Sequence, residues 1–83
     1  MFHVYILQSD TTRRYYTGTT QDIRGRLKER NAGENKSTRH AVPWNLVHRE
    51  DFLTRSEALR KEKQIKSRGV ARYLADHRTI TTG

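Results

Sequence analysis

The sequence predicts an α+β domain: a small three-stranded antiparallel sheet flanked by helices, in the order β-β-α-β-α-α. Three observations predict it. Two β-rich runs, residues 4–7 and 14–19, are separated by the polar, turn-forming residues 8–13, the pattern of a hairpin with a rather long loop. A third such run, Trp44–Phe52, follows Pro43. Three other segments carry apolar residues at helical spacing, two of them with helix caps. Eighty-three residues leave room for one folding unit with a small core. A single domain is expected over 1–83, with 78–83 as a frayed tail.

The elements follow in order. After the hairpin, Thr20 or Asp22 can cap a short helix in which Ile23 and Leu27 form an i, i+4 apolar pair, and Gly33 can end it. Gly25 inside that helix costs roughly 1 kcal/mol relative to Ala. Either something passes close to it or the helix is marginal there. Residues 34–41 are polar and read as a surface loop. Beyond the third strand, Thr54 and Glu57 form a capping box that opens a helix with Ala58, Leu59 and Ile65 as its apolar residues. Gly69 interrupts it, and residues 70–77 form a last helix around Val70, Tyr73 and Leu74.

Composition narrows the function. A mean hydropathy of −1.02 and 33% apolar residues make the core thin. The absence of cysteine excludes disulfides, thiolate metal sites and a cysteine nucleophile. No segment has signal-peptide or membrane-spanning character, so the expected compartment is the cytoplasm and no membrane partner is expected. Seventeen Lys and Arg against nine Asp and Glu give a net charge of +8, which points to a polyanionic partner, most often nucleic acid. Twelve of the seventeen are Arg, whose guanidinium fork matches phosphate oxygens. The four His show no metal-ligand spacing on a predicted element, so no zinc site is expected, and no phosphate-binding Gly loop or Ser elbow is present.

Glu62 is an acid on the inward stripe of its helix, four residues after Ala58 and three before Ile65. Burying an unpaired carboxylate costs several kcal/mol. Such a residue is therefore a rim Glu paired with a cation, half exposed in a cleft, or a metal ligand. Arg26 and Arg30 share one face of the first helix and flank its buried stripe. Periodicity alone reads Arg30 as part of a solvated basic face. Tyr5 and Tyr16 lie on paired strands, where aromatics mostly serve packing, and Gly18 permits close backbone approach where the chain leaves the sheet.

Taken together, His3-Val4-Tyr5, Tyr16-Thr17-Gly18, Arg26 and Glu62 resemble the signature of the GIY-YIG nuclease superfamily. Residues 35–39, Pro43, Leu46-Val47, Phe52, Ala58 and Ile65-Lys66 are similar to its stand-alone, single-domain bacterial branch. The likeness runs from Val4 to about Leu74. It implies a metal-dependent endonuclease that hydrolyses phosphodiester bonds in DNA, including the branched or damaged structures met in DNA repair. The implied catalytic residues are Tyr5, Tyr16, Arg26 and Glu62, with one Mg²⁺ or Mn²⁺ on Glu62 and Gly18 as a structural motif residue. Tyr5 is taken as the base and Tyr16 as its support, an assignment the sequence does not separate; the metal and nearby Arg must lower the base's pKa. Arg30, Lys36, Thr38 and Arg39 are the implied nucleic-acid contacts. Two departures stand out. Arg30 occupies the place of a frequent family His, and no Asn follows Glu62 in the region 72–78. They leave an alternative open: a catalytically weakened nucleic-acid-binding module on the same scaffold. A protein partner and the oligomeric state are not readable.

Overall fold

The computed structural model describes residues 1–33 and 39–82. Strands β1 (Phe2–Ser9) and β2 (Tyr15–Thr20) form the hairpin, followed by α1 (Ile23–Asn31), a 3₁₀ turn at Arg39–Ala41, β3 (Trp44–Phe52), α2 (Arg55–Arg68) and α3 (Val70–Thr82). The expected order β-β-α-β-α-α is the observed one. The sheet order is β2-β1-β3, with β1 in the centre and antiparallel to both neighbours.

Central β1 is apolar on both faces because helices cover both. Val4 and Ile6 join Ala58, Ile65, Tyr73 and Leu74 in one cluster beneath α2 and α3. Tyr5 and Leu7 join Ile23, Ala41 and Trp44 in a second, on the α1 side. This two-sided burial explains why residues 4–7 read as a continuous β-rich run and not as an alternation.

The helix caps hold the elements in register. Asp22 caps α1, its carboxylate accepting from the Gly25 amide at 3.0 Å. Thr20 accepts from the Asp22 amide through its hydroxyl, so Thr20 braces the cap that Asp22 makes. A side chain at position 25 would put its Cβ 2.3 Å from that carboxylate, so the group that passes close to Gly25 is the cap itself. Thr54 caps α2, accepting from the Glu57 amide at 3.2 Å while its hydroxyl donates to the Glu57 carboxylate at 2.8 Å. α3 runs to Thr82, five residues past the end that the apolar spacing predicts. No helix among the described residues is long and apolar enough to cross a membrane.

Candidate functional site

The site is organised around β2, an edge strand whose two faces carry different chemistry. Tyr5 stands opposite Gly18 across the β1–β2 ladder. The phenol lies so close over the glycine that a Cβ there would come 2.7 Å from the Tyr5 oxygen. Gly18 is thus a cradle for the ring, a close approach rather than an unusual backbone angle. Tyr16, two residues earlier on the same face, has its ring centroid 6.2 Å from that of Tyr5. Tyr5 is only 4% exposed, whereas Tyr16 is 37% exposed.

Arg30 covers Tyr16. Its guanidinium carbon lies 3.7 Å from the Tyr16 ring centroid and 5.8 Å from that of Trp44. Periodicity placed Arg30 on a solvated face; instead it is half-buried against two aromatic rings. Asn31, which the sequence did not mark, holds this arrangement. Its side chain donates to the Trp44 carbonyl at 3.0 Å and accepts from the Trp44 amide at 2.6 Å, tying the end of α1 to the start of β3.

The other face of β2 carries Thr19, whose hydroxyl donates to Glu62 Oε1 at 2.6 Å. Lys66, one turn on along α2, donates to Glu62 Oε2 at 2.7 Å. Burial alone would raise the Glu62 carboxyl, but the Lys66 and Thr19 hydrogen bonds outweigh it and hold its pKa below the ordinary Glu value. The Glu62 side chain is 19% exposed and that of Lys66 55%. The stripe carrying Glu62 is narrower than the spacing implied. Ala58 and Ile65 are fully buried, but Leu59 is 46% exposed.

Leu59 instead lines a cleft of about 420 Å³ between α1 and α2, together with Thr19, Asp22, Arg26, Glu29 and Arg55. Arg26 reaches it from α1, paired loosely with Glu29 at 3.5 Å. Arg55, at the first turn of α2, adds a second guanidinium that the sequence reading did not select. Thr19 borders both the cleft and Glu62, so it links the cationic wall to the carboxylate.

Tyr5 experiences the whole assembly. Burial pushes its hydroxyl above the ordinary value of 10, Tyr16 adds to this, Arg26 and Arg30 pull it down, and Glu62 pushes it up again. The arginines act in the expected direction, but burial outweighs them, so the protein alone holds Tyr5 neutral. Of the remaining expected contacts, Arg39 is exposed and donates from Nε to the Gly33 carbonyl at 3.0 Å. Lys36 and Thr38 lie outside the described residues.

Residues 1–74 match the family described as the GIY-YIG catalytic domain. The chain belongs to that family. Its relatives are small proteins. A UPF0213 protein of Halobacterium salinarum is 48% identical over 68 residues, which cover 80% of this chain and 86% of that one. A UPF0213 protein of Haloquadratum walsbyi is 51% identical over 67 residues, covering 78% and 73%. A UPF0213 protein of Staphylococcus aureus is 40% identical over 53 residues, covering 63% and 65%. The likeness to a stand-alone, small GIY-YIG branch therefore holds, and that branch includes archaeal as well as bacterial members. No solved structure matches the chain.

This GIY-YIG protein presents a carboxylate suited to a divalent cation, the kind of cofactor the family generally uses. Glu62 and Thr19 offer only oxygen donors, which suit a hard ion that retains most of its water. Glu62 is partly exposed, and Lys66, the cation now on it, is an exposed neighbour on the same helix. An exposed i, i+4 pair of this kind is worth about 0.3–0.5 kcal/mol, so displacing it costs little.

Proposed function

We propose that the protein is a metal-dependent endonuclease that hydrolyses phosphodiester bonds in DNA. The observation that carries this reading is that edge strand β2 cradles a tyrosine, Tyr5, on one face and holds a partly exposed carboxylate, Glu62, on the other, next to a cleft walled by Arg26 and Arg55. Glu62, together with water, would hold a hard divalent ion, Mg²⁺ or Mn²⁺, which would supply charge neutralisation at the phosphate and leaving oxygen. Arg26 clamps a non-bridging phosphate oxygen and strengthens its hold as charge develops there. Arg55 orients the backbone from the opposite wall. Tyr5 acts as base in its ionised form, which Arg26, Arg30 and a bound cation would favour against burial, and takes a proton from the attacking water; Tyr16, steadied by Arg30, supports it by hydrogen bonding. The basic surface, Arg39 included, draws in the polyanion.

The second reading, a binding module without turnover, is favoured by one observation: Arg30 occupies the position next to Tyr16, and a guanidinium cannot serve as a general base at neutral pH. The test is incubation with Mg²⁺ or Mn²⁺ and a panel of duplex, single-stranded and branched DNAs and RNAs. Cleavage of DNA with 50–200 mM salt-dependent binding, steep in log–log terms, is expected. Salt-dependent binding without cleavage of any substrate supports the module instead, and cleavage of RNA alone overturns the choice of DNA.

A further inference from the structure

A second cluster of ligating side chains lies across the sheet from the two tyrosines. On β3, His48 pairs with Ile6 and Glu50 with Val4, so both point to the face covered by α2 and α3. His77 of α3 comes down beside them, its ring centroid 5.1 Å from that of His48. One ligand atom from each of His48, Glu50 and His77 lies within 4.8 Å of the other two. We propose that these three residues form a binding site for a borderline divalent cation of the zinc class, separate from the Glu62 site and pinning α3 to β3.

The donor set argues for the class of ion. Two imidazoles and one carboxylate suit zinc, whereas Mg²⁺ prefers oxygen alone. Three protein ligands leave a fourth tetrahedral position to water. Zinc bonds of about 2.0–2.1 Å require donors roughly 3.3 Å apart in a tetrahedron. The His48 Nε2 to Glu50 Oε2 distance is already 2.9 Å, so the closure needed falls mainly on His77.

The surroundings prepare the ligands. His77 Nδ1 lies 3.0 Å from the Tyr73 carbonyl, which can only accept, so Nδ1 carries the proton and Nε2 keeps its lone pair. An imidazole fixed by a backbone carbonyl in this way is the usual support for a metal-bound His. The Tyr73 hydroxyl donates to Glu50 and orients the carboxylate. His48 Nε2 and Glu50 share a hydrogen bond at 2.9 Å; zinc would take the place of the proton between them, with His48 keeping a proton on Nδ1. Lys61 opposes the ion mildly, with Nζ 3.9 Å from Glu50 Oε1 on the far oxygen. This arrangement was hidden in the sequence because His48 and Glu50 meet by strand alternation while His77 arrives from a helix 27 positions later.

The test uses the whole metal-free protein, titrated with ZnCl₂ by calorimetry and by competition with a chromophoric chelator, and with Co²⁺ by visible absorption. Expected are one zinc per chain, a rise in melting temperature with zinc, and a tetrahedral Co²⁺ spectrum. His77→Gln and His48→Gln should each weaken zinc binding at least tenfold, since loss of even an outer-shell partner costs about 10–100-fold. His77 is half-buried near the surface, so its variant remains informative if His48→Gln misfolds. His3→Gln should bind zinc as the parent does, which separates this site from the His3–Asp51 pair on the other face. Absence of stoichiometric zinc, or parental affinity in a folded His77→Gln variant, overturns the proposal.

Discussion

Arg30 stacks on Tyr16, its guanidinium carbon 3.7 Å from the ring centroid. A planar cation on an aromatic face is worth about 0.5–1 kcal/mol at an exposed site. Here it also fixes a ring that touches the environment of Tyr5. Arg30→Ala should lower stability by about that amount in chemical denaturation. Arg30→His should keep the stack, weaken nucleic-acid binding and reduce its salt slope by about 1. Its single-turnover cleavage rate should stay within about threefold of the parent. A rise of tenfold or more, about 1.4 kcal/mol of barrier, would show that the missing imidazole limits catalysis.

Gly18→Ala tests the cradle. The added Cβ would lie 2.7 Å from the Tyr5 oxygen and 2.9 Å from its Cζ, and Tyr5 is buried and has little room to move. Overpacking of this kind costs about 1–3 kcal/mol. The melting temperature should fall, and cleavage should fall further than stability at a temperature where both proteins are folded. A variant of parental stability and rate would mean that Tyr5 does not depend on this contact.

Asn31→Ala removes both hydrogen bonds to the Trp44 backbone. Leaving those two groups to find water costs about 1–3 kcal/mol. Because Arg30 is adjacent, the loss should also loosen the Arg30–Tyr16 stack. Asn31→Asp keeps the acceptor and should recover part of the stability; equal destabilisation in both variants would contradict the assigned bonds.

Alkaline pH provides a test with a definite sign. The pKa values of Tyr5 and Tyr73 are raised in the folded protein, by burial first in both cases, with Glu50 adding to the effect on Tyr73. A raised folded pKa favours the neutral form in the fold, so its contribution is complete below the unfolded value of about 10 and is lost as pH climbs above it. Urea midpoints should hold up to about pH 10 and decline beyond. Tyr5→Phe, having no hydroxyl to ionise, should decline less steeply. For the same reason, cleavage that uses Tyr5 as base should speed up from pH 7 toward pH 9, and a flat profile would argue against that role.

Much of this architecture was readable because local rules and the tertiary fold agree. The Thr54–Glu57 cap and the Ala58, Glu62, Ile65 spacing defined α2 and put an acid on its inner stripe, as observed. Gly25 was legible as a close approach, though the approaching group, Asp22, emerged only with the cap geometry. Other features depend on which surface a neighbour happens to cover. Leu59 follows the apolar rhythm yet faces the cleft, because no element among the described residues closes over α2 there. Arg30 looks like a solvent residue by spacing and becomes an aromatic partner only because Tyr16 and Trp44 arrive from two different strands. Asn31, Arg55 and the His48–Glu50–His77 cluster share this origin in long-range packing.

The central claim is that Glu62 serves chemistry and not the fold. Its partners are an exposed lysine of its own helix and the Thr19 hydroxyl, so the fold should tolerate an amide there. The deciding measurement is single-turnover cleavage of DNA by Glu62→Gln at saturating Mg²⁺, beside its melting temperature and DNA affinity. The account predicts a rate loss of about 10²-fold or more, the scale of removing one electrostatic stabiliser of the transition state, with melting temperature and binding close to parental. Retained cleavage with a lowered melting temperature would make Glu62 a structural ion-pair partner and contradict the account.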